Sequence, residues 1–157
     1  MKALSKSRFK QGLECPNKVY FANNPEDFHN VKNDDSFLQA LASGGFQIEA
    51  YARLLYPDGV LIEGANHDYQ ELADQTARLL IHENVVIFEA AFYREELFAR
   101  TDILVKKGNN IQLIEVKAKS INPNKKHNFV GKLGDIVSGW KPYLFDLAFQ
   151  SHVVQLC

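Results

Sequence analysis

Two acidic residues and a lysine could be brought together by a β-hairpin in this sequence. Asp102 lies in one apolar stretch, and the next apolar stretch leads into Glu115-Val116-Lys117. The intervening Gly108-Asn109 is a favoured two-residue hairpin loop, and it sets a register in which Asp102 lies directly opposite Glu115. Opposed residues on one sheet face have Cβ atoms about 4.5–5.5 Å apart, and Lys117 points to the same face as Glu115.

Carboxylates held this close on apolar strands repel each other, so another group must offset the cost. Either one carboxyl takes a proton, or a divalent cation binds between the two, and carboxylate oxygens suit Mg²⁺ or Mn²⁺. Beside a metal ion, Lys117 could orient a water molecule or stabilise charge on a phosphate. The alternative is an ordinary salt-bridge ladder on a solvated face, which contributes little. The predicted register also puts Leu104 opposite Leu113 on this face, which favours a partly buried site.

The hydrophobic pattern around the hairpin predicts the elements that would position these residues. Strands are predicted at Val60–Ile62, Val85–Phe92, Leu97–Lys106 and Ile111–Ala118, and helices at Ser5–Cys15, from Asp68 to near Glu83, and at Tyr143–Cys157. Residues 119–142 show no regular period. This order predicts an α/β (α+β) fold with a central mixed β-sheet flanked by helices.

Local signals predict where several helices begin and end. Ser5 is expected to cap the first helix and Pro16 to end it, and Asp68 with Glu71 has the spacing of a capping box. The Gly44-Gly45 pair is expected to break the segment Ser36–Tyr56 into two helices. The aromatic residues of the phenylalanine-rich helices are expected in the core.

The composition predicts one ordinary domain that needs neither disulfides nor a structural metal ion for stability. The 157 residues include 46% hydrophobic residues, enough for a core at this size. Cys15 and Cys157 alone make neither a disulfide framework nor a four-ligand metal site. Met1 begins a polar stretch, and no run of about 18 apolar residues occurs, so we expect a cytoplasmic protein with no membrane partner.

The chain stops inside an amphipathic pattern at Cys157, without a glycine cap or a polar tail. We therefore expect residues 1–157 to be a single domain at the N-terminus of a longer protein. The alternative is a docked C-terminal helix that ends the protein.

Charge is distributed unevenly along the sequence. The net charge of −1 excludes a uniformly basic nucleic-acid binder. Residues 1–20 nevertheless hold five basic side chains against one acidic, and residues 117–141 hold six against one, while residues 21–116 hold seven against sixteen. If folding brings the two basic ends beside the acidic middle, they would form a phosphate-attracting rim around a cation site.

Asp102 followed by Glu115-Val116-Lys117 on the next strand resembles the motif of the PD-(D/E)XK nuclease superfamily. Other segments occur in the order found in RecB-like nucleases, including CRISPR-associated exonucleases and a little-characterised bacterial family of larger proteins that begin with such a domain. They are Leu4-Ser5-Lys6-Ser7-Arg8 running to Cys15-Pro16, Gly45–Ala52, Ile87–Phe92 and Asp146–Gln150. The resemblance covers nearly the whole chain and implies a restriction-endonuclease-like core.

The resemblance implies a role for each residue of the hairpin. Asp102 and Glu115 would ligate the catalytic metal together with the Val116 carbonyl, and Lys117 would position or activate the attacking water. Glu89 would be a further acid facing the site. Many relatives carry a metal-binding histidine where this chain has Gln47 and Glu49, so Glu49 is either an exposed charge or a ligand. One early cysteine without three late ones implies that this chain holds no iron–sulfur cluster.

The resemblance also implies contacts to nucleic acid. The glutamine of the last helix would lie along the substrate strand, and basic or hydroxyl side chains would contact phosphates. These residues are Gln150, Ser7, Arg8, Lys119, Lys125 and Lys126.

Together these features imply a Mg²⁺- or Mn²⁺-dependent nuclease that hydrolyses phosphodiester bonds in DNA through metal-activated water, with single strands or ends among the possible forms of the DNA and the choice between ends and internal sites left open. Its partners would be DNA and the remainder of the longer protein. A rival interpretation is a nucleic-acid-binding or partner-docking module on the same fold whose catalysis is weak or lost. The absent histidine, and Val154 where relatives carry a tyrosine, favour this rival. A third possibility is a hydrolase of another phosphate ester.

Overall fold

A mixed sheet lies at the centre of the computed structural model, which describes residues 3–28, 30, 35–65, 67–124 and 128–157. Within these residues the sheet has five strands, which confirms the predicted α+β architecture. The strands are β1 (Leu4–Ser5), β2 (Val60–Leu61), β3 (Asn84–Arg94), β4 (Leu97–Lys107) and β5 (Asn110–Ile114). The helices are α1 (Lys6–Glu14), α2 (Pro16–Asn23), α3 (Ser36–Arg53), α4 (Tyr69–Leu79) and α5 (Lys141–Leu156), the last preceded by a short 3₁₀ turn at Ser138–Trp140.

Strands β3, β4 and β5 form a continuous antiparallel meander. β3 pairs with β4 over residues 84–88 and again over residues 90–94, on either side of Glu89. The two strands are joined by a tight turn at Glu95 and Glu96, whose backbones are left-handed with φ of 50° and 63°. Such a turn matches the twist of the strands it joins. β5 pairs with the other edge of β4, and β1 runs parallel to β4 on that same edge at Leu97 and Phe98. β2 lies parallel to β3 at the far side of the sheet.

The third strand of the meander is shorter than the sequence predicts. We expected it to continue to Ala118, but β5 ends at Ile114. In the same register, a β5 that continued to Ala118 would reach Ala99 of β4, directly beside Phe98, where this edge is already paired with Ser5 of β1. The prediction was wrong because the sequence pattern does not reveal that a second strand occupies the same edge.

Two apolar clusters hold the helices against the sheet. The larger cluster includes Ile87 and Leu104 of the sheet, Leu72 of α4 and Phe149 of α5, each at most 5% exposed. On α1, Phe9 stacks on Phe149 with ring centroids 4.9 Å apart. The smaller cluster, Phe88, Ile103 and Val105, packs against residues that include Ala52 of α3 and Tyr56. α1 and α5 are therefore fixed to each other and to β4.

Helix α3 runs unbroken through Gly44-Gly45, so the predicted break is wrong. Neither glycine has a positive φ, and glycine costs a helix only about 1 kcal/mol relative to alanine. The expectation that its aromatic residues are core is also wrong, since Phe37, Phe46 and Tyr51 are each more than 60% exposed.

Helix ends follow the predicted signals only in part. Ser5 caps α1 as predicted, its hydroxyl accepting from the Arg8 backbone N–H, and α1 ends before Pro16. Pro16 then begins α2, a helix that the sequence analysis missed, because proline is tolerated in the first turn of a helix. The predicted capping box does not form. The Asp68 side chain makes no cap hydrogen bond, because its ψ of 58° departs from the extended backbone that is typical of caps. The predicted end of this helix near Glu83 is also wrong, since α4 ends at Leu79.

None of the helices described here is long and apolar enough to cross a lipid bilayer.

Candidate functional site

The β4–β5 hairpin has the register that the sequence predicts. Its pairs run from Lys107 opposite Asn110 to Ile103 opposite Ile114, so the next positions beyond the ladder are Asp102 and Glu115. Asp102 Oδ2 accepts a hydrogen bond of 2.7 Å from the backbone N–H of Val116. The Asp102 carboxylate is thus bound to the chain that carries Glu115.

The group between the two carboxylates is the ammonium of Lys6. Lys6 Nζ lies 3.0 Å and 3.2 Å from the two carboxylate oxygens of Glu115 and 3.5 Å from Asp102 Oδ1. The side chains are 23% exposed for Lys6, 14% for Asp102 and 2% for Glu115. The sequence leaves open a proton, a metal ion or a solvated salt-bridge ladder at this position. The structure has an ion pair, but its central cation is Lys6, and the carboxylates are largely buried.

Glu115 has two further partners. The Lys117 ammonium contacts Glu115 Oε1, and Gln150 Nε2 donates a hydrogen bond of 2.7 Å to Oε2. Gln150 is buried on α5, next to Phe149 of the core, so α5 fixes the position of its amide. The structure therefore brings together Asp102, Glu115 and Lys117, as the sequence predicts, and adds Gln150 to them. The role of Gln150 as a contact to nucleic acid stays a prediction.

The pKa values of the two acids move in opposite directions. Burial would raise the pKa of Glu115, but Lys6, Lys117 and Gln150 together hold it below its ordinary value. Burial raises the pKa of Asp102, against the attraction of Lys6. Burial would lower the pKa of Lys6, but Asp102 and Glu115 raise it, so this ammonium stays charged. A proton added to the pair at low pH therefore goes to Asp102 first.

Helix α1 is held so that Lys6 reaches the hairpin. One turn after Lys6, Lys10 Nζ lies 3.2 Å from Oδ2 of Asp146, a buried residue of α5. This ion pair, with the Phe9–Phe149 stack, docks α1 on α5. Asp146 therefore contributes to the site by holding α1 against α5.

Glu89 and Glu49, the two further ligands that the sequence predicts, form a separate cluster with arginines. Glu89 lies 3.0 Å from the guanidinium of Arg53 and 2.9 Å from that of Arg100, and Glu49 also contacts Arg53. Burial and the neighbouring Glu49 raise the pKa of Glu89 to about 7. Throughout the described ranges, no group of three or more His, Cys, Asp or Glu side chains could hold a metal ion. The role of Glu89 and Glu49 as ligands stays a prediction.

A cavity of about 490 Å³ opens beside α1. Its lining includes Lys6, Ser7, Arg8 and Arg100, and no acidic side chain among the residues that the structure describes there. Tyr69 forms part of the wall. The predicted nucleic-acid contacts Ser7 and Arg8 therefore lie beside Lys6, at a surface that favours anions.

The other predicted nucleic-acid contacts lie elsewhere or outside the described residues. Lys119 Nζ donates to the Gly139 carbonyl at 2.7 Å and lies 4.4 Å from the centroid of the Trp140 ring. This ammonium packs on the segment before α5. Lys125 and Lys126 lie outside the described residues.

Lys6, Arg53 and Arg100 are the site residues that the sequence analysis missed. Lys6 belongs to the basic N-terminus and to the motif beginning at Leu4, and this charge pattern is the only signal for it in the sequence. Nothing in the local sequence shows that β1 lies beside β4, which brings Lys6 to the acid pair.

Comparison of the chain with protein-family models, with curated proteins and with solved structures finds no match. A functional proposal therefore depends on the site geometry and on the sequence motifs.

Proposed function

We propose that this domain is a divalent-metal-dependent nuclease of the PD-(D/E)XK type, which hydrolyses phosphodiester bonds in DNA. The observation that carries the proposal is the convergence of Asp102 and Glu115 on one positive charge, with the Lys117 ammonium beside them. The motif spacing in the sequence supports the same chemistry.

The donor set suits a hard divalent cation. Asp102 and Glu115 supply carboxylate oxygens, and the Val116 carbonyl is a third oxygen in the same strand segment, the ligand type that Mg²⁺ and Mn²⁺ prefer. The position of the Lys6 ammonium supports the fit, because it marks a place between the carboxylates that accepts a cation. When bound there, the ion would lower the pKa of a water molecule and stabilise charge on phosphate oxygens.

The surrounding residues would then have separate tasks. Gln150 holds one oxygen of Glu115 through its amide and so fixes the direction of the carboxylate. Lys117, whose ammonium already reaches Glu115, would hold the attacking water or a phosphate oxygen. The basic cavity beside α1 would receive the phosphate backbone.

A second candidate is a nucleic-acid-binding module without catalysis. Lys6 favours it, because the two carboxylates already have a charged partner and need no metal ion for stability. In this case the basic cavity binds the nucleic acid, and the acid pair fixes α1 to the hairpin.

Calorimetric titration with Mn²⁺ and cleavage of labelled DNA distinguish the candidates. We expect Asp102→Asn and Glu115→Gln to abolish Mn²⁺ binding, and Lys117→Met to keep it while cleavage falls by about 10²–10⁴-fold. The exposed Glu83→Gln variant controls for loss of one negative charge. Unchanged Mn²⁺ affinity in both acid variants would rule out the proposed site. DNA binding without metal-dependent cleavage would support the second candidate, and cleavage of small phosphodiesters in preference to DNA would indicate another phosphoesterase.

A further inference from the structure

Charges at the acid pair cancel as long as Lys6 remains there. Asp102 and Glu115 carry two negative charges, and the ammonium groups of Lys6 and Lys117 carry two positive ones, all within the contacts described above. A divalent cation entering this set would meet no net attraction and would be repelled by an ammonium at the same oxygens. Lys6 and the metal ion therefore compete for one position.

Lys6 has a second environment within reach. Its side chain also lines the 490 Å³ cavity, where Arg8, Arg100 and Ser7 lie and no described lining residue is acidic. The side chain is 23% exposed and has a flexible four-carbon stem, so the ammonium can leave the carboxylates without moving α1. In the cavity the Lys6 ammonium would lie near the guanidinium of Arg8, and a phosphate is the ligand that relieves their repulsion. Arg100, which also lines the cavity, is already paired with Glu89.

We propose that Lys6 couples metal loading to phosphate binding. Without metal, its ammonium neutralises Asp102 and Glu115. When a divalent cation binds these carboxylates, the ammonium turns into the basic cavity beside Arg8 and binds a phosphate of the nucleic acid. This inference depends on the proposed function, since it takes the same two carboxylates as metal ligands.

The exchange has a thermodynamic signature. Because linkage is reciprocal, the metal ion and the nucleic acid should each increase the affinity of the other by the same factor. Replacing Lys6 removes the competitor, so metal should bind tighter on its own and gain less from nucleic acid. Loss of a charge-assisted contact of this kind should change the Mn²⁺ affinity by about tenfold, which corresponds to about 1.4 kcal/mol.

The test is a calorimetric Mn²⁺ titration with and without a short single-stranded phosphorothioate oligodeoxynucleotide, which resists cleavage. Wild type, Lys6→Met and Lys6→Gln are compared, and Lys18→Met, an exposed lysine paired only locally with Glu14, is the matched control. We expect both Lys6 variants to bind Mn²⁺ about tenfold tighter without oligonucleotide, and the coupling between the two ligands to fall by about the same factor. Lys18→Met should behave as wild type.

Thermal unfolding provides a second readout that does not depend on activity. Metal-free Lys6→Met should unfold at a lower temperature than wild type, and saturating Mn²⁺ should raise its midpoint by more than it raises that of wild type. Lys6→Gln, which keeps a hydrogen-bond donor, covers the case in which the methionine variant does not fold.

The failure of this inference differs from the failure of the proposed function. Equal or weaker Mn²⁺ binding in the Lys6 variants, with wild type binding normally, overturns the exchange and leaves the metal site in place. Absence of Mn²⁺ binding in wild type and Lys6 variants alike overturns both.

Discussion

The partly buried Glu89 side chain makes the stability of the domain depend on pH near neutrality. Its neighbours raise its pKa to about 7 from an ordinary value of 4.5, with burial as the largest cause and Glu49 next. Between pH 4.5 and pH 7, Glu89 is therefore protonated in the folded state and ionised in the unfolded chain. The contribution of Glu89 to stability is therefore fully present below pH 4.5 and is lost as the pH rises through 7. Each pKa unit corresponds to about 1.4 kcal/mol, so the loss amounts to about 3 kcal/mol.

Substitution of Glu89 by glutamine tests this reasoning, because glutamine imitates the protonated carboxyl. We expect Glu89→Gln to match wild type near pH 4.5 and to be more stable than wild type by about 3 kcal/mol at pH 8. The measurement is urea unfolding at a series of pH values, followed by the fluorescence of Trp140, the single tryptophan, and by circular dichroism. Glu63→Gln controls for the removal of one charge, because Glu63 is an exposed acid that lines, together with Glu89, a second cavity of about 500 Å³.

Parallel stability curves for wild type and Glu89→Gln would refute the account. They would mean that Arg53 and Arg100 fully compensate the buried charge, and that Glu89 is ionised throughout. A variant less stable than wild type at pH 8 would mean that the two ion pairs exceed the cost of burial.

Substitutions at Thr76, Gly59 and Gly45 also have expected effects on the free energy of urea unfolding. Thr76→Val should lower it by about 1–3 kcal/mol, because the buried Thr76 hydroxyl accepts a 2.8 Å hydrogen bond from the backbone N–H of Ala91; Thr76→Ser should retain most of the stability. Gly59→Ala should lower the free energy of unfolding by about 1–3 kcal/mol, because the new Cβ would lie 2.2 Å from Cζ of the buried Phe88. Gly45→Ala should raise it by about 0.5–1 kcal/mol, because Gly45 lies in open space within α3 and alanine favours the helix. An unchanged Thr76→Val or Gly59→Ala variant would contradict the respective contact.

The hairpin could be predicted from sequence because its determinants are local. Gly108-Asn109 fixes the turn, and the register that it sets extends to Ile103 opposite Ile114. The convergence of Asp102 and Glu115 follows from this register alone. The resemblance to known nucleases implies Gln150 only as a contact to nucleic acid. Its hydrogen bond to Glu115, 35 residues away in the chain, was not predicted.

The group that neutralises the acid pair could not be predicted. Lys6 reaches the pair because the two residues of β1 lie beside β4, and a two-residue strand has no periodicity to recognise. The same strand ends β5 early. Arg53 and Arg100 contact Glu89, and neither arginine has a local motif that relates it to Glu89. Contacts between distant elements are what the sequence pattern leaves undetermined.

The order in which the chain can close its contacts follows from the position of Lys6. The Val116–Asp102 hydrogen bond closes a loop of 14 residues, whereas the Lys6–Glu115 contact closes one of 109. By the logarithmic dependence of closure entropy on loop length, the longer loop costs about 1.8 kcal/mol more. The two acids can therefore meet while the chain is still largely unfolded, and their ammonium arrives last. It is also the first of these partners to be lost when the N-terminal helix detaches.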